Sequence, residues 1–264
     1  MTKKGLLVVS FGTSFKETRA KTLDQIERDL GAAFPDRRLY SAWSSRFIIK
    51  KLLKEGIRID SPEEALDRML SDGITDALVQ PTCIADGAEY RRILSALESR
   101  RDRFESLRVG QPLLKSEADQ REAARVMREA CPQITAADRL ILMGHGVPDD
   151  QGVPEGNRVY CEMGECLAAE MPNAYLALVE AKPGIAEARE WLKADPPREG
   201  GKVYLTPFLL VAGDHANNDL AGDGEDSWKS VLLSDGYEVE CVLRGLGELP
   251  KIRALYIRHA EEAL

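Results

Sequence analysis

Short aliphatic runs alternate with longer amphipathic segments along the whole chain, and this alternation strongly limits the possible folds. Eight runs have strand composition: Leu6–Ser10, Leu39–Trp43, Ala77–Gln80, Leu107–Val109, Leu140–Met143, Ala174–Val179, Val203–Leu205 and Glu238–Leu243. Nine segments have helical patterns: 14–32, 45–55, 62–72, 87–103, 117–131, 156–170, 184–194, 216–234 and 248–263. This order predicts an α/β protein with parallel sheets that are flanked by helices.

The two halves of the chain repeat the same signals in the same order. The stretch LLVVSFGTS near the start corresponds to LILMGHGVP in the second half, and VQPTCIADGAEY corresponds to LTPFLLVAGDHA. Pro81 lies eight residues before Glu89, and Pro207 lies eight residues before His215. We therefore predict two similar α/β domains, 1–132 and 133–264, that face each other across a cleft. The terminal helix, about 248–263, is a candidate to pack back on the first half.

Composition and charge exclude several classes of protein. The chain has 264 residues, 44% of them hydrophobic, and a formal charge of −8, which argues against nucleic-acid binding. No stretch approaches the roughly 20 apolar residues of a membrane span, and the N-terminal apolar run is too short for a signal peptide. Five cysteines without a C-x-x-C pair predict free thiols and a cytoplasmic protein. The oligomeric state stays open.

Only three histidines occur, and two of them lie where an α/β sheet binds ligands. His145 follows a predicted strand and stands between Gly144 and Gly146, which allow a sharp turn beside the imidazole. His215 lies in the loop VAGDHANND, which leads into a helix. His259 lies on an amphipathic terminal helix, where a structural role is the simpler interpretation. Ligands bind at the carboxyl ends of parallel strands, so His145 and His215 are candidates for chemistry.

Two carboxylates occupy related positions. Glu89 is the counterpart of His215 in the repeat, and Glu180 follows a predicted strand. Two imidazoles and a carboxylate from separate loops suit a borderline divalent ion such as cobalt, nickel, iron or zinc. Each residue alone is compatible with an ordinary surface or packing role. No G-x-S-x-G elbow, Walker loop or G-x-G-x-x-G fingerprint is present.

The segments GLLVVSFGTSFKETR, LMGHGV, LVE and TPFLLVAGDHANNDLAGDGEDSWK make the chain resemble the anaerobic cobalt chelatases. These belong to the ATP-independent class II chelatases, which also include protoporphyrin ferrochelatase. The resemblance covers essentially the whole chain. It implies a two-domain fold with a tetrapyrrole in the cleft, and insertion of Co²⁺ into sirohydrochlorin for cobalamin biosynthesis. Fe²⁺ insertion towards sirohaem is a further option. Neither ATP nor bound haem is expected.

The resemblance also assigns site residues. The metal-site histidines of the family fall on His145 and His215, its site glutamate falls on Glu180, and Glu89 matches a further acidic position. The hypothesis is that His145 serves as ligand and base, His215 as second ligand, Glu180 as third ligand or proton acceptor, and Glu89 as proton relay.

Sirohydrochlorin, the substrate that the resemblance implies, carries many carboxylates. An acidic protein must supply hydrogen-bond donors or basic side chains to bind them. The stretch SFGTSFKETR offers hydroxyls and amides at a helix N-terminus, with simple helix capping by Thr13 or Ser14 as the alternative. Basic candidates are Arg46, Lys50, Arg91 and Arg92. The residues predicted to bind the substrate are Ser10, Gly12, Thr13, Ser14, Arg46 and Gly146.

Two other functions remain open at this point. A non-enzymatic carrier of a tetrapyrrole or a metal would bind the ligand without insertion. An unrelated α/β hydrolase or phosphatase would use His145 on esters, although no arginine precedes His145 to clamp a phosphate.

Overall fold

The computed structural model describes residues 3–147 and 154–264. For residues 154 and 155 it describes the backbone alone. The chain forms two compact units. The first unit comprises the described residues up to Lys115 together with Pro250–Leu264, and the second is Ser116–Leu249.

All eight predicted strands are present. They are β1 (Lys4–Ser10), β2 (Arg38–Trp43), β3 (Asp76–Pro81), β4 (Ser106–Val109), β5 (Arg139–Gly144), β6 (Ala174–Leu178), β7 (Val203–Pro207) and β8 (Val239–Cys241). The helices are α1 (Lys16–Lys21), α2 (Leu23–Ala33), α3 (Arg46–Lys54), α4 (Pro62–Ser71), α5 (Ala88–Glu98), α6 (Glu117–Ala130), α7 (Pro154–Glu170), α8 (Ile185–Ala194), α9 (Trp228–Ser234) and α10 (Pro250–Glu262).

Each unit contains one parallel four-stranded sheet. The strand order is β2-β1-β3-β4 in the first unit and β6-β5-β7-β8 in the second. Counted within each unit, this is the same order, so the two sheets share one topology. Strands β3, β5 and β7 are buried along their whole length, as expected for strands that helices cover on both faces. The predicted fold of two similar parallel α/β domains is confirmed.

The boundary between the units differs from the predicted division at 132/133. Helix α6 belongs to the second unit, because it packs against α7. Helix α10 belongs to the first unit and packs against α2 and β3. There the Tyr256 hydroxyl donates a 2.9 Å hydrogen bond to the Thr82 carbonyl, and the Arg253 guanidinium lies 2.6 Å from the Asp29 carboxylate. Side-chain packing of the helices, which strand order alone does not reveal, decides the boundary.

Strand register relates the two units residue by residue. Val9 of β1 pairs with Pro81 of β3, and Met143 of β5 pairs with Pro207 of β7. Counting two residues onward from Val9 and Met143 places Phe11 and His145 at equivalent positions.

The loops that follow β2 and β6 also occupy equivalent positions in the two units. The Ser45 N–H donates to the Phe11 carbonyl at 3.2 Å, and the Glu180 N–H donates to the His145 carbonyl at 2.9 Å. Ser45 is therefore the counterpart of Glu180.

Three predicted helices are wrong in extent. The segment predicted over 87–103 ends as an α-helix at Glu98, before a 3₁₀ turn at Arg101–Arg103. The segment predicted as one helix over 14–32 breaks at Thr22, whose buried hydroxyl donates to the Thr18 carbonyl at 2.6 Å while its backbone leaves helical geometry. The segment predicted as a helix over 216–234 has one π turn, Ala216–Leu220, and resumes only at α9. Between them, a Cβ on Gly222 would lie 2.3 Å from the Asn218 carbonyl oxygen, so this tight turn requires glycine.

The predicted free thiols are confirmed, because all five cysteines are unpaired with one another.

Within the part of the chain that the structure describes, none of the helices has the length and apolar character needed to cross a bilayer.

Candidate metal-binding and proton-transfer site

The loop that carries His145 is shaped by the glycine after it. Gly146 has φ +79°, a conformation that side-chain-bearing residues rarely adopt, and a Cβ there would lie 3.0 Å from the Ala181 Cβ. The loop is then tied to α7 by Asn157. The Asn157 side chain accepts from the Val147 N–H and donates to the Val147 carbonyl, each at 2.7 Å. The exposed imidazole of His145 therefore stands on a tightly defined backbone.

The hydrogen bond of His145 selects its tautomer. Its Nδ1 lies 2.8 Å from the Gly146 carbonyl oxygen, which can only accept. Nδ1 must therefore carry the proton. In the neutral ring, Nε2 is then the nitrogen with the lone pair, and it is available to bind a metal ion.

His215 has the same arrangement with a stronger partner. It lies just before the π turn, and its Nδ1 is 2.6 Å from Oδ2 of Asp219, four residues later. The loop is held by Asn217, whose side-chain amide donates to the Gly213 carbonyl at 2.6 Å. An imidazole that donates Nδ1–H to a carboxylate presents a basic Nε2, an arrangement that is common around metal-binding histidines.

The two imidazoles lie together within the second unit. Their ring centroids are 4.9 Å apart and the ring planes cross at 87°. The structure thus brings together the two histidines that the sequence selected, although they are 70 residues apart in the chain.

Glu180 is linked to this pair through its backbone. Its N–H donates to the His145 carbonyl, and its side chain is exposed. Among residues 3–147 and 154–264, no group of three or more His, Cys, Asp or Glu side chains is arranged to hold a metal ion. The arrangement therefore consists of two imidazoles with a carboxylate on the adjoining loop.

Glu89 lies in the first unit, in the first turn of α5, and receives two hydrogen bonds. The Ser44 hydroxyl donates to its Oε1 at 2.8 Å, and the Cys83 thiol is a second side-chain partner. Burial raises the pKa of Glu89, and the hydrogen bonds and the Arg92 guanidinium only partly offset this. Burial, followed by the Glu89 charge, raises the pKa of Cys83 well above its usual range. Glu89 is thus a carboxyl group that takes up a proton more readily than an exposed glutamate.

The residues predicted to bind substrate differ in accessibility. Ser10 is buried, and its Oγ accepts from the Thr82 hydroxyl at 2.9 Å. Thr13 is also buried, and its hydroxyl accepts from the Phe15 N–H at 3.2 Å. Ser14 is half-buried and accepts from the Lys51 ammonium at 3.1 Å.

The remaining members of the predicted set are two glycines and an arginine. Gly12 is buried with φ +101°, and a Cβ there would lie 2.5 Å from the Trp43 ring. Gly146 is likewise buried. Arg46 is exposed at the start of α3. Arg46 and Ser14 are therefore the side chains of this set that solvent can reach.

Sequence reasoning missed the residues that support the site. Asp219 and Asn157 support the two histidine loops, and Ser44 and Cys83 bind Glu89. Asp219 had a visible signal, since it lies four residues after His215 at the spacing of neighbours on a helix. Asn157, Ser44 and Cys83 had no local signal, because their partners lie in other loops.

The third histidine has the structural position that the sequence predicted. His259 is buried in α10, and its Nδ1 lies 3.3 Å from the Gln111 carbonyl oxygen.

Comparisons with known proteins agree with this description. A family model described as cobalt chelatase (CbiK) matches residues 4–264. The sirohydrochlorin cobaltochelatase of Salmonella typhimurium is 37% identical over 265 residues, which cover 99% of this chain and 97% of that protein. Sirohydrochlorin cobaltochelatase CbiKC of Nitratidesulfovibrio vulgaris is 28% identical, with 100% and 92% covered.

A solved structure supports the fold independently. The sirohydrochlorin chelatase SirB of Bacillus subtilis subspecies spizizenii, determined in complex with cobalt, aligns with a TM-score of 0.68 at 14% identity. The alignment covers 99% of this chain and 95% of that one. The family match spans nearly every residue, and the chain belongs to the cobalt chelatase (CbiK) family.

Proposed function

We propose that this protein inserts Co²⁺ into sirohydrochlorin, a tetrapyrrole, and so works as a sirohydrochlorin cobaltochelatase. The observation that carries this proposal is the pair of neighbouring imidazoles, His145 and His215, each with its Nδ1 proton held by an acceptor. The pair lies in a chain that the cobalt chelatase family model matches from residue 4 to residue 264. A carrier without insertion activity is not favoured.

The imidazole pair supplies what the metal half of the reaction needs. Co²⁺ is a borderline ion that binds neutral nitrogen ligands well. Two protein ligands leave coordination positions open, which the pyrrole nitrogens of the substrate must eventually occupy. In this proposal Glu180, on the loop beside His145, supplies a carboxylate to the ion as it sheds water. Asp219 and Gly146 hold the rings in the tautomers that bind.

The other half of the reaction is the removal of two protons from pyrrole nitrogens. His145 can accept one when it is not bound to the ion, and Glu89 is the second proposed acceptor. The hydrogen bonds from Ser44 and Cys83 orient the Glu89 carboxylate, and its partial burial makes it a better base than an exposed glutamate. The proposal needs no ATP, since deprotonation and ligand exchange are the only steps. Fe²⁺ is the proposed alternative ion.

Anaerobic absorbance spectroscopy tests the function. The protein is mixed with metal-free sirohydrochlorin and Co²⁺, then with Fe²⁺, and the spectral change is compared with a sample without protein. We expect acceleration of Co²⁺ insertion. A changed substrate spectrum without faster insertion would indicate a carrier and contradict the proposal.

Replacement of Glu89 by glutamine should slow insertion on the order of 10²-fold, because Gln keeps the shape but cannot accept a proton. In the wild type, activity that depends on ionised Glu89 should rise as pH increases through its pKa. Since burial raises that pKa, activity should already decline at a pH where an exposed glutamate would still be ionised. The measurement is kcat against pH for both forms. Glu98→Gln, at the end of the same helix, is the matched control. If E89Q kept the wild-type kcat and the same decline of kcat at low pH, Glu89 would have no part in proton transfer.

A further inference from the structure

Helix α3 is an insertion that the second unit lacks. In the first unit, the chain leaves the sheet after Trp43 and returns to it at Asp60, whose carbonyl accepts from the Trp43 N–H at 2.9 Å. In the second unit, Leu178 is the equivalent of Trp43, and its N–H donates to the Pro183 carbonyl at 2.6 Å. Sixteen residues separate the first pair and four separate the second. The excursion of the first unit is therefore longer by twelve residues.

The helices that follow confirm this alignment of the two units. Ser61, directly after Asp60, caps α4, and its N–H donates to the Glu64 carboxylate at 2.8 Å. Gly184, directly after Pro183, precedes α8, and its N–H donates to the Glu187 carboxylate at 2.8 Å. The repeat resumes in register at this point, so α3 is the added element.

The inserted helix has an unusual surface for an acidic protein. Four cationic and two apolar side chains of α3 are exposed: Arg46, Phe47, Lys50, Lys51, Leu53 and Lys54. No acidic residue lies within the helix, whereas the whole chain carries a formal charge of −8. Phe47 is 77% exposed, the largest value among the exposed large hydrophobic residues that the structure describes. Exposed aromatic and apolar side chains among exposed cations suit a ligand that is both apolar and anionic.

The helix begins at the edge of the sheet where ligands bind. The Ser44 and Ser45 N–H groups donate to the carbonyls of Ser10, the last residue of β1, and of Phe11, the residue after it. The Lys51 ammonium reaches Ser14 in the loop after that strand. Three hydrogen bonds therefore hold the start and the middle of α3 at the carboxyl edge of the first sheet.

We propose that α3 is a binding element for the rim of the tetrapyrrole, in which Arg46, Lys50 and Lys54 pair with peripheral carboxylates and Phe47 covers apolar ring surface. The inference rests on the proposed function, since it takes sirohydrochlorin as the ligand. It extends the substrate-binding role predicted for Arg46 to the whole of α3 and adds an aromatic contact from Phe47. Charge complementarity favours this occupant, because a polycarboxylate that approaches an acidic protein needs a local basic surface.

Direct binding measurements test the proposal. Sirohydrochlorin is titrated without metal, at several NaCl concentrations, into the wild type and into Phe47→Ser and Lys50→Glu/Lys54→Glu variants. We expect Phe47→Ser to raise Kd roughly tenfold, as loss of a buried aromatic contact would. The double charge reversal should raise Kd by a similar factor at low salt and reduce the salt dependence. Co²⁺ affinity, measured separately without tetrapyrrole, should stay at the wild-type value.

The matched control is Arg28→Glu/Lys193→Glu, which changes the net charge equally on exposed positions of α2 and α8. It should leave Kd and its salt dependence close to wild type. Equal effects of both double variants would show a general charge effect and overturn the proposal. If the α3 variants kept the wild-type Kd for sirohydrochlorin and still inserted Co²⁺, the binding role of α3 would be overturned and the proposed chelatase function would stand. Failure of the wild type to bind sirohydrochlorin would overturn both.

Discussion

His145→Ala and His215→Ala should each lower the rate of Co²⁺ insertion by on the order of 10²-fold or more, because each variant removes a proposed metal ligand and His145→Ala also removes a proposed base. In the proposed site both imidazoles bind one ion, so the effects of the two substitutions should not add. The double variant should be little worse than the more damaging single variant. Since neither side chain is buried, the free energy of unfolding should change by only about 0.5 kcal/mol.

Two measurements separate the contributions of the histidines. Anaerobic titration followed by the visible absorbance of Co²⁺ reports metal affinity without substrate, and the insertion assay reports turnover. Asp219→Ala keeps both imidazoles but removes the acceptor for His215 Nδ1, and it should weaken Co²⁺ binding by about 10- to 100-fold. Wild-type Co²⁺ affinity and insertion rate in both single histidine variants would rule out the metal site. Strictly additive losses in the double variant would show that the two rings serve different steps.

Arg37→Ala should cause the largest loss of stability, about 3–5 kcal/mol within the first unit, because it leaves a buried charge without its partner. The Arg37 guanidinium is 4% exposed, and its two terminal nitrogens lie 3.2 and 3.3 Å from the two carboxylate oxygens of Asp76. It also donates to the Gly5 carbonyl at 3.3 Å. The alanine variant would therefore leave the Asp76 carboxylate and strand carbonyls short of donors beside β1 and β3.

Arg108→Ala is the matched control, since the half-buried Arg108 contacts the same carboxylate at 3.4 Å. A partly exposed pair of this kind contributes only about 0–1 kcal/mol. Hydrogen exchange of peptides from β1 and β3 measures the first unit separately from the second. Similar exchange rates in the two variants would mean that burial of Arg37 does not matter.

Much of the fold was predictable because the hydrophobic pattern of each segment and the order of the segments along the chain determine it. Each predicted strand overlaps an observed one, and the repeat correctly implied two sheets of the same kind. The helix predictions failed where a single side chain or a tight turn interrupts a segment whose hydrophobic pattern is helical. Thr22 breaks a helix by bonding back to Thr18, and the tight turn at Gly222 ends the π turn after His215. A periodic pattern does not report such local hydrogen bonds.

The site was partly predictable for the same reason. His145 was selected by its place between two glycines at a strand end and His215 by its place in the repeat, and the structure brings their rings together. Glu180 was selected by its strand end, and the structure ties its backbone, not its carboxylate, to His145. The surroundings of Glu89 were not predictable, because Ser44 and Cys83 come from two other loops that only the sheet order places beside it.

By itself the sequence determined the class of fold, its internal duplication, the identity of the two imidazoles and the resemblance to the cobalt chelatases, because these depend on which residues occur and in what order. Tertiary structure decided the unit to which α6 and α10 belong, the tautomers of His145 and His215, and the raised pKa of Glu89. Unit membership and the raised pKa depend on packing between groups far apart in the chain and on burial from water. The tautomers depend on contacts with neighbours in the chain, which only the folded loop and the π turn bring to hydrogen-bond distance.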